Sequence, residues 1–517
     1  MSLEALPPEL VDQIVVELPL HDIGSLRLTS RTLASTATQE HYKRNFYSHH
    51  LELTEWHLRR FVAFTSGGGL AHLLRHLTVI APVYNPLELE ADAKYKTTSA
   101  PVWRMDGGFE KIEAIPLEHE DSMQTDLDLD ILRLQRHEHT EFVNRGEHNA
   151  LLSRAFGMLK GLDCKLHTIT AEVAVYRIPD GNPLMPLYGG GWKHIWNAAI
   201  FASLETSGLQ ARHLNLFNSS RMLRCSISCD KFSNLGHNSG HLDTFLGNLE
   251  SLSMSISDKI ILARDMDPMD LEDFSVDAEW DSHATWRTAE EMLCEASDEQ
   301  NFEGLPERLR KCRRLKCLEV SYFALDYISP DISQVQSKGI LGALQRSNLR
   351  TVEKLTLEGF DISEDHLLEI IRSLPRLRNI TLHCIRMHKG GRWDIVLNHC
   401  TATMAKVYLD SLFGPKILHF KAPYATRDAC DEERGYYAGL KARFRSDLMD
   451  FRAAARDGEI AASKQIEYSH YKGSELPYAA KRSWRQDLKN HFGPPGYGGE
   501  ACLSGRLAPE QLWQLQP

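Results

Sequence analysis

The sequence predicts an α/β chain: a short helical module at the N-terminus, then an irregular solenoid-like array of strand–helix units interrupted by insertions. Three observations carry that prediction. The first forty-odd residues set leucine, isoleucine and valine at helical spacing between prolines. A cassette of the form apolar-x-x-apolar-x-apolar recurs eight times between Leu74 and Leu409. Between two of the later cassettes lies a segment with a 3.6-residue apolar stripe, so strand and helix alternate there.

Composition bounds the possibilities. At 517 residues the chain exceeds one ordinary compact domain, which leaves two or three folding units or one extended repeat array. Hydrophobic residues make up 42% and charged residues 25%, enough apolar surface for a large core without disulfide or metal staples. The net charge of −11 argues against non-specific attraction to nucleic acid or anionic lipid. Ten cysteines include no CxxC pair, and Cys225 and Cys229 stand four apart. Reduced, mostly buried thiols are expected, as in cytoplasm or nucleus. The opening MSLEALPPEL has no basic stretch followed by an apolar run, so no signal peptide is expected. No apolar run approaches the roughly 20 residues of a membrane span, so the expected protein is soluble.

The N-terminal module reads LEALPPELVDQIVVELPLHDIGSLRLTSRTL from Leu3 to Leu33. Leu6 precedes Pro7 and is expected to be extended. Pro7 and Pro8 suit a helix's first turn, where a missing N–H costs nothing, and Glu9 and Asp12 suit the positive end of its dipole. Leu10, Ile14 and Leu18 make the apolar stripe, widened by Val11 and Val15, and Pro19 stops the helix. A second helix is expected to start near Asp22 and to carry Ile23, Leu26 and Arg27; a third runs from Ser30 through Ala37. Three short helices in about forty residues cannot bury all these leucines among themselves. The surplus face needs a partner, either the rest of the chain or another protein.

These residues resemble an F-box of the fungal type. The match is a gapless run: Leu6, Pro7, Glu9, Leu10, Ile14, Leu18, Asp22, Ile23, and Leu26 to Arg31. It departs from the family pattern at the end, where many members carry Val-Cys-Arg and then Trp; here stand Thr29, Ser30, Arg31 and Leu33. The resemblance covers residues 1–45. It implies a substrate-recognition subunit of an SCF-type cullin-RING E3 ubiquitin ligase. Leu6, Pro7, Leu10, Ile14, Leu18, Ile23 and Leu26 would then lie in or support the surface that binds the Skp-family adaptor. The body would present an unidentified protein target. The alternative is a leucine-rich-repeat-like binding scaffold not linked to a ligase, with the N-terminal helices packed on the body.

The body, residues 46–420, holds the cassettes. They are Leu74, Leu77, Val79; Leu166, Ile169, Ala171; Ala211, Leu214, Leu216; and Leu249, Leu252, Met254. They continue as Leu315, Leu318, Val320; Val352, Leu355, Leu357; Leu377, Ile380, Leu382; and Met404, Val407, Leu409. The last two residues of each alternate as in a strand, both on one face. One such unit cannot bury its own face, so neighbours must stack. Only the steps from 352 to 377 and from 377 to 404 have the usual leucine-rich-repeat period, so the expected solenoid is irregular and best defined over 306–410. Its clearest return helix starts at the N-cap Ser363, buries Leu367, Leu368, Ile371 and Leu374, and ends at Pro375. The run from Pro306 repeats that plan, with Leu309 on the helix and Leu315 opening the strand.

Insertions are expected near 83–145 and 260–300. The first contains DLDLD, Asp126 to Asp130, read as a solvated acidic loop. The second contains eight carboxylates from Asp265 to Asp281. Gly189 to Gly191 read as a turn. From 421 to 517 a helical cap and a partly disordered tail are expected. Tyr437, Leu440, Phe444, Leu448 and Phe451 supply the stripe of that cap, and the sequences GSELPYAAKRSWRQDLKN and GPPGYGG follow.

No enzyme signature is present: no GxSxG, GxxxxGK[ST], HExxH or GxGxxG after a strand. His137 and His139 are two apart and cannot share one side of a helix, so they make a poor zinc pair. His49–His50 and the histidines of GHNSGH from Gly236 read as polar loops. Arg308, Arg310, Lys311, Arg313 and Arg314 read as a solvated basic face. The expectation is a non-enzymatic protein with no catalytic residue, cofactor or metal, working through protein–protein contacts.

Overall fold

The structure, a computed structural model, describes residues 3–37, 40–67, 69–84, 86–103, 109–164, 166–176, 178–179, 192–218, 226–234, 240–259, 261, 287–323, 330–388, 390–410, 412–414, 418–420, 441–445 and 468–470. Its helices are α1 (Pro8–Val16), α2 (Leu20–Thr29), α3 (Arg31–Thr36), α4 (Glu40–Arg44), α5 (Glu55–Ser66), α6 (Leu87–Tyr95), α7 (His119–Asn144) and α8 (Glu147–Gly161). They continue as α9 (Trp192–Ser207), α10 (Gly240–Asn248), α11 (Ala289–Ser297), α12 (Gln300–Lys311), α13 (Pro330–Arg346), α14 (Glu364–Ser373) and α15 (Trp393–Thr403). The strands are β1 (Ser48–Glu52), β2 (His76–Tyr84), β3 (Thr97–Trp103), β4 (Phe109–Pro116), β5 (Thr168–Tyr176), β6 (His213–Leu216), β7 (Ile227–Ser228), β8 (Ser251–Ser257) and β9 (Cys317–Phe323). The rest are β10 (Lys354–Glu358), β11 (Asp361–Ile362), β12 (Asn379–His383), β13 (Arg386–Met387), β14 (Lys406–Asp410), β15 (Leu418–Phe420), β16 (Lys441–Arg445) and β17 (Tyr468–His470).

A mixed α/β architecture results, organised by one sheet in the order β1-β2-β5-β6-β8-β9-β10-β12-β14-β16, with β7 beside β8. From β1 to β14 every pairing is parallel, and the chain adds strands in sequence order. All eight cassettes are strands, and they share one register. Leu77, Ile169, Leu214, Leu252, Leu318, Leu355, Ile380 and Val407 form one row across the sheet. Val79, Ala171, Leu216, Met254, Val320, Leu357, Leu382 and Leu409 form the next. Both rows are buried, as is the first residue of every cassette. A slip of one residue would turn both rows to the opposite face, so burial pins the register whatever the length of chain between strands.

A backbone ladder reinforces this alignment just before each strand. The Arg75 carbonyl accepts from the N–H groups of His167 and Thr168, and the His167 carbonyl from those of Arg212 and His213. The same double bond recurs at Arg212, Glu250, Lys316, Glu353 and Arg378. Turn carbonyls at the rim are thereby satisfied without water.

Helices α5, α8, α10 and α12 to α15 pack on the cassette side. Leu58 and Phe61 of α5, Phe156 and Leu159 of α8, Phe245 of α10, Leu305 and Leu309 of α12, Leu344 of α13, Leu367 and Ile371 of α14, and Leu397 of α15 join the strand rows in one core. Ser363 caps α14, its hydroxyl accepting from the His366 N–H at 3.3 Å. Helix α12 begins six residues before Pro306, which sits inside it. Burial of Phe302, Leu305 and Leu309 outweighs the hydrogen bond that a proline interior forfeits.

Several expectations are corrected. Helix α2 starts at Leu20 behind Pro19 rather than near Asp22. His49 and His50 lie in β1 and not in a loop. His49 stands opposite Leu77 and Leu51 opposite Val79, so Phe46, His49 and Leu51 act as a ninth cassette. The His49 ring stacks on Phe61 at 5.0 Å and fills the apolar position. Burial, and then the neighbouring His50, hold its pKa below the usual histidine value. Over 83–145 the chain forms α6, the β3–β4 hairpin and the 26-residue α7. DLDLD is therefore helical, because Leu129 and Leu132 lie among Leu89, Tyr84 and Tyr176. In the C-terminal stretch, Lys441–Arg445 is strand β16, antiparallel to β14, and not helix. The open edge of β14 offers unpaired backbone groups, and pairing with them overrides a helical apolar period. The acidic run Asp265–Asp281, Gly189–Gly191, Cys225 and the motifs after His470 lie outside the described residues.

Candidate docking surfaces

Helices α1 to α4 enclose a small core of their own: Val11, Val15, Ile23, Ala37 and Tyr42, all buried. Leu6, Leu18, Leu26, Phe46 and Leu70 pack around it half-buried, the last two tying the module to the first turns of the body. Pro7 occupies the N-cap of α1 with φ −54°, and the Ser30 hydroxyl caps α3 by accepting from the Leu33 N–H at 3.1 Å. Arg27 lies over the Tyr42 ring, 4.2 Å from its centroid.

Helix α1 thus divides its apolar residues between two sides. Val11 and Val15, four apart, face inward. Leu10 and Ile14, each one residue earlier and about 100° round the helix, are 44% and 37% exposed. Of the residues expected to contact a partner, Pro7, Leu10 and Ile14 are exposed, and Leu6, Leu18 and Leu26 are half-buried. Ile23 is sealed in the module's core and can only support the surface from beneath. Leu3, Val16, Leu20 and Leu28 are exposed as well, and none is among the residues expected to contact a partner. Helical spacing shows that a face is apolar; it cannot say which edge of a wide stripe stays outside.

The sheet face opposite the cassette rows is the second surface; α6 and α7 pack on its Tyr84 and Tyr176, and Ser253 and Ser321 in its middle are buried. Across it run His50, Thr78, Thr170, Asn215, Ser253, Glu319, Thr356, Thr381 and Tyr408, one per strand. Hydrogen bonds link its middle. The Asn218 amide donates to Ser253 at 2.7 Å, Ser253 to Glu319 at 3.2 Å, and Lys354 to Glu319 at 2.7 Å. One row further, Ser321 donates to Glu358 at 2.8 Å. His383 lies between Glu358 (3.0 Å) and Asp410 (3.5 Å). Burial alone would push the His383 pKa down; its contacts with Cys384 and Glu358 outweigh that and raise it to about 11. The imidazolium is therefore a fixed positive centre between two carboxylates.

The residues considered for chemistry are placed apart. His137 pairs with Glu141 on its own helix at 3.4 Å, while His139 turns the other way and packs on Tyr84. Burial drives the His139 pKa down to about 4, with His148 adding to the effect. The basic cluster is not one solvated face. Arg308 is buried, with Nε and Nη2 lacking a partner, and Lys311 is held by Asp243 at 2.7 Å. Arg310, Arg313 and Arg314 are exposed. The described cysteines are free thiols. Among the described residues no group of His, Cys, Asp or Glu is arranged to hold a metal ion, and no helix is long and apolar enough to cross a membrane. No protein-family model matches the sequence, and no curated protein matches it.

Proposed function

We propose that the chain is an F-box substrate adaptor. In this reading α1 to α3 dock onto the Skp-family adaptor of a cullin-RING ubiquitin ligase. The in-register strand–helix array is an irregular leucine-rich-repeat-like solenoid that holds a protein target. One observation carries the proposal: α1 keeps Leu10 and Ile14 on its outer side although Val11 and Val15 already suffice to anchor it. Exposed apolar side chains that adjoin, as Leu10 and Ile14 do at a spacing of four, form a patch of the kind that another protein covers. An adaptor needs no catalytic group. It binds two proteins at fixed geometry and raises the effective concentration of a target lysine near the ligase. The half-buried polar residues along the sheet's opposite face, among them Thr78, Asn215, Thr356 and Tyr408, suit the second of those contacts.

A scaffold unconnected to a ligase is the competing reading. The sealing of Ile23 and the packing of Leu6, Leu18 and Leu26 near Phe46 and Leu70 favour it. Co-purification of the full chain with a recombinant Skp-family adaptor separates the two. Stoichiometric capture supports the adaptor reading, and its absence leaves the scaffold.

A further inference from the structure

Helix α7 carries a second apolar stripe, opposite the one that seats it. Leu129 and Leu132 are buried against Leu89, Tyr84 and Tyr176. On the far side Met123, Leu127, Ile131 and Leu134 are 63%, 53%, 36% and 56% exposed. Steps of four, four and three keep these four on one side of the helix, over about 17 Å. Carboxylates surround them. Glu120 lies three residues before Met123, Asp130 between Leu127 and Leu134, and Glu138 four beyond Leu134. Asp121, Asp126 and Glu141 are exposed on the same helix, Asp126 paired with Lys96 at 3.0 Å and Glu141 with Arg145 at 3.6 Å. Arg133 is the one exposed arginine or lysine among the described residues of α7, and Glu90 holds it at 2.8 Å.

We propose that this side of α7 docks an amphipathic helix of a partner protein, with leucine-like residues at three-and-four spacing and lysine or arginine on both flanks. Charge selects that occupant. Two copies of α7 paired antiparallel about residue 129 would set Glu120 against Glu138 at both ends of the stripe. A parallel pair would stack every carboxylate on its own copy. Both arrangements repel, whereas basic flanks meet the acidic rim on each side. The stripe is short, so the contact is a transient one of micromolar strength. It stands whether or not α1 to α3 join a ligase.

The test uses the full chain and two synthetic helical peptides of about 21 residues, long enough to overlie the stripe. Both carry leucines at three-and-four spacing; one is flanked by lysine and its twin by glutamate. Fluorescence anisotropy is expected to give micromolar binding for the lysine peptide, weakened about tenfold at high salt. Binding at least about tenfold weaker is expected for the glutamate twin, and for the lysine peptide on the L127S/L134S chain. That variant should keep its thermal unfolding profile, because both side chains are exposed. Equal binding of the twins, or unchanged binding to the serine variant, overturns the proposal. So does a dimer in sedimentation that the serine variant abolishes, which assigns the stripe to a second copy. The chain's own Trp484, Leu488 and Phe492 lie four apart among Lys481, Arg482, Arg485 and Lys489. If W484S/L488S/F492S makes the chain bind the lysine peptide markedly more tightly, that segment is the occupant and the proposal fails.

Discussion

The division of α1 into two sides makes the adaptor reading sharply testable through Leu10→Asp/Ile14→Asp. Complete burial of a leucine or isoleucine is worth about 1.5–3 kcal/mol. With 44% and 37% of these side chains open to a partner, each has about 1 kcal/mol of binding in reserve. A carboxylate at either position would also be buried unpaired in the complex, at a cost of a few kcal/mol. The sum exceeds about 2.7 kcal/mol, so adaptor binding should weaken by more than about 100-fold. Folding should change little, by about 1 kcal/mol or less, because neither residue belongs to the module's buried core. Val15→Asp is the contrasting variant: a charge in that core should unfold the module and remove binding through stability. The assay is co-purification plus titration calorimetry with the Skp-family adaptor, with urea denaturation of each variant alongside. Wild-type affinity in a folded L10D/I14D chain would refute the docking assignment. Loss of folding in that variant would refute the inside–outside division on which it rests.

Other outcomes follow from the core and its ionisable groups. Leu357→Ala, in the buried row of β10, should cost about 2–5 kcal/mol in urea denaturation, while Thr356→Ala on the opposite face should cost under about 0.5 kcal/mol. Gly304→Ala should destabilise although alanine favours helix by about 1 kcal/mol, because its Cβ would fall 2.1 Å from the Ser233 backbone nitrogen; a more stable variant would mean that α12 does not approach that segment. His139 is neutral in the folded chain down to about pH 4, whereas the unfolded chain protonates it near 6.5. Its contribution is therefore complete above pH 6.5 and lost as pH falls toward 4. His139→Gln should remove about 2 kcal/mol of the stability difference between about pH 7.5 and pH 5, read by denaturation at the two values.

Much of this architecture was legible in the primary structure. The eight cassettes mark eight strands, because alternating apolar residues are useful only when stacked on like neighbours. Ser363, Pro7 and Ser30 mark helix starts through local hydrogen bonding and a fixed φ, which need no tertiary context. The residues that escaped notice depend on distant partners. His49 reads as polar until Phe61 is laid beside it. DLDLD reads as a loop until Tyr84 and Tyr176 supply a floor for Leu129 and Leu132. Lys441–Arg445 reads as helix until the edge of β14 is open to it.

The amino-acid order by itself determined which residues must leave water and at what period, since hydrophobicity and backbone preference are properties of short segments. Only the tertiary structure decided which apolar residues remain outside: Leu10 and Ile14 rather than Val11 and Val15, and Leu127 and Leu134 rather than Leu129 and Leu132. On a helix with apolar residues on two sides, both faces satisfy the same spacing rule, and the choice falls to whatever the rest of the chain brings up against one of them.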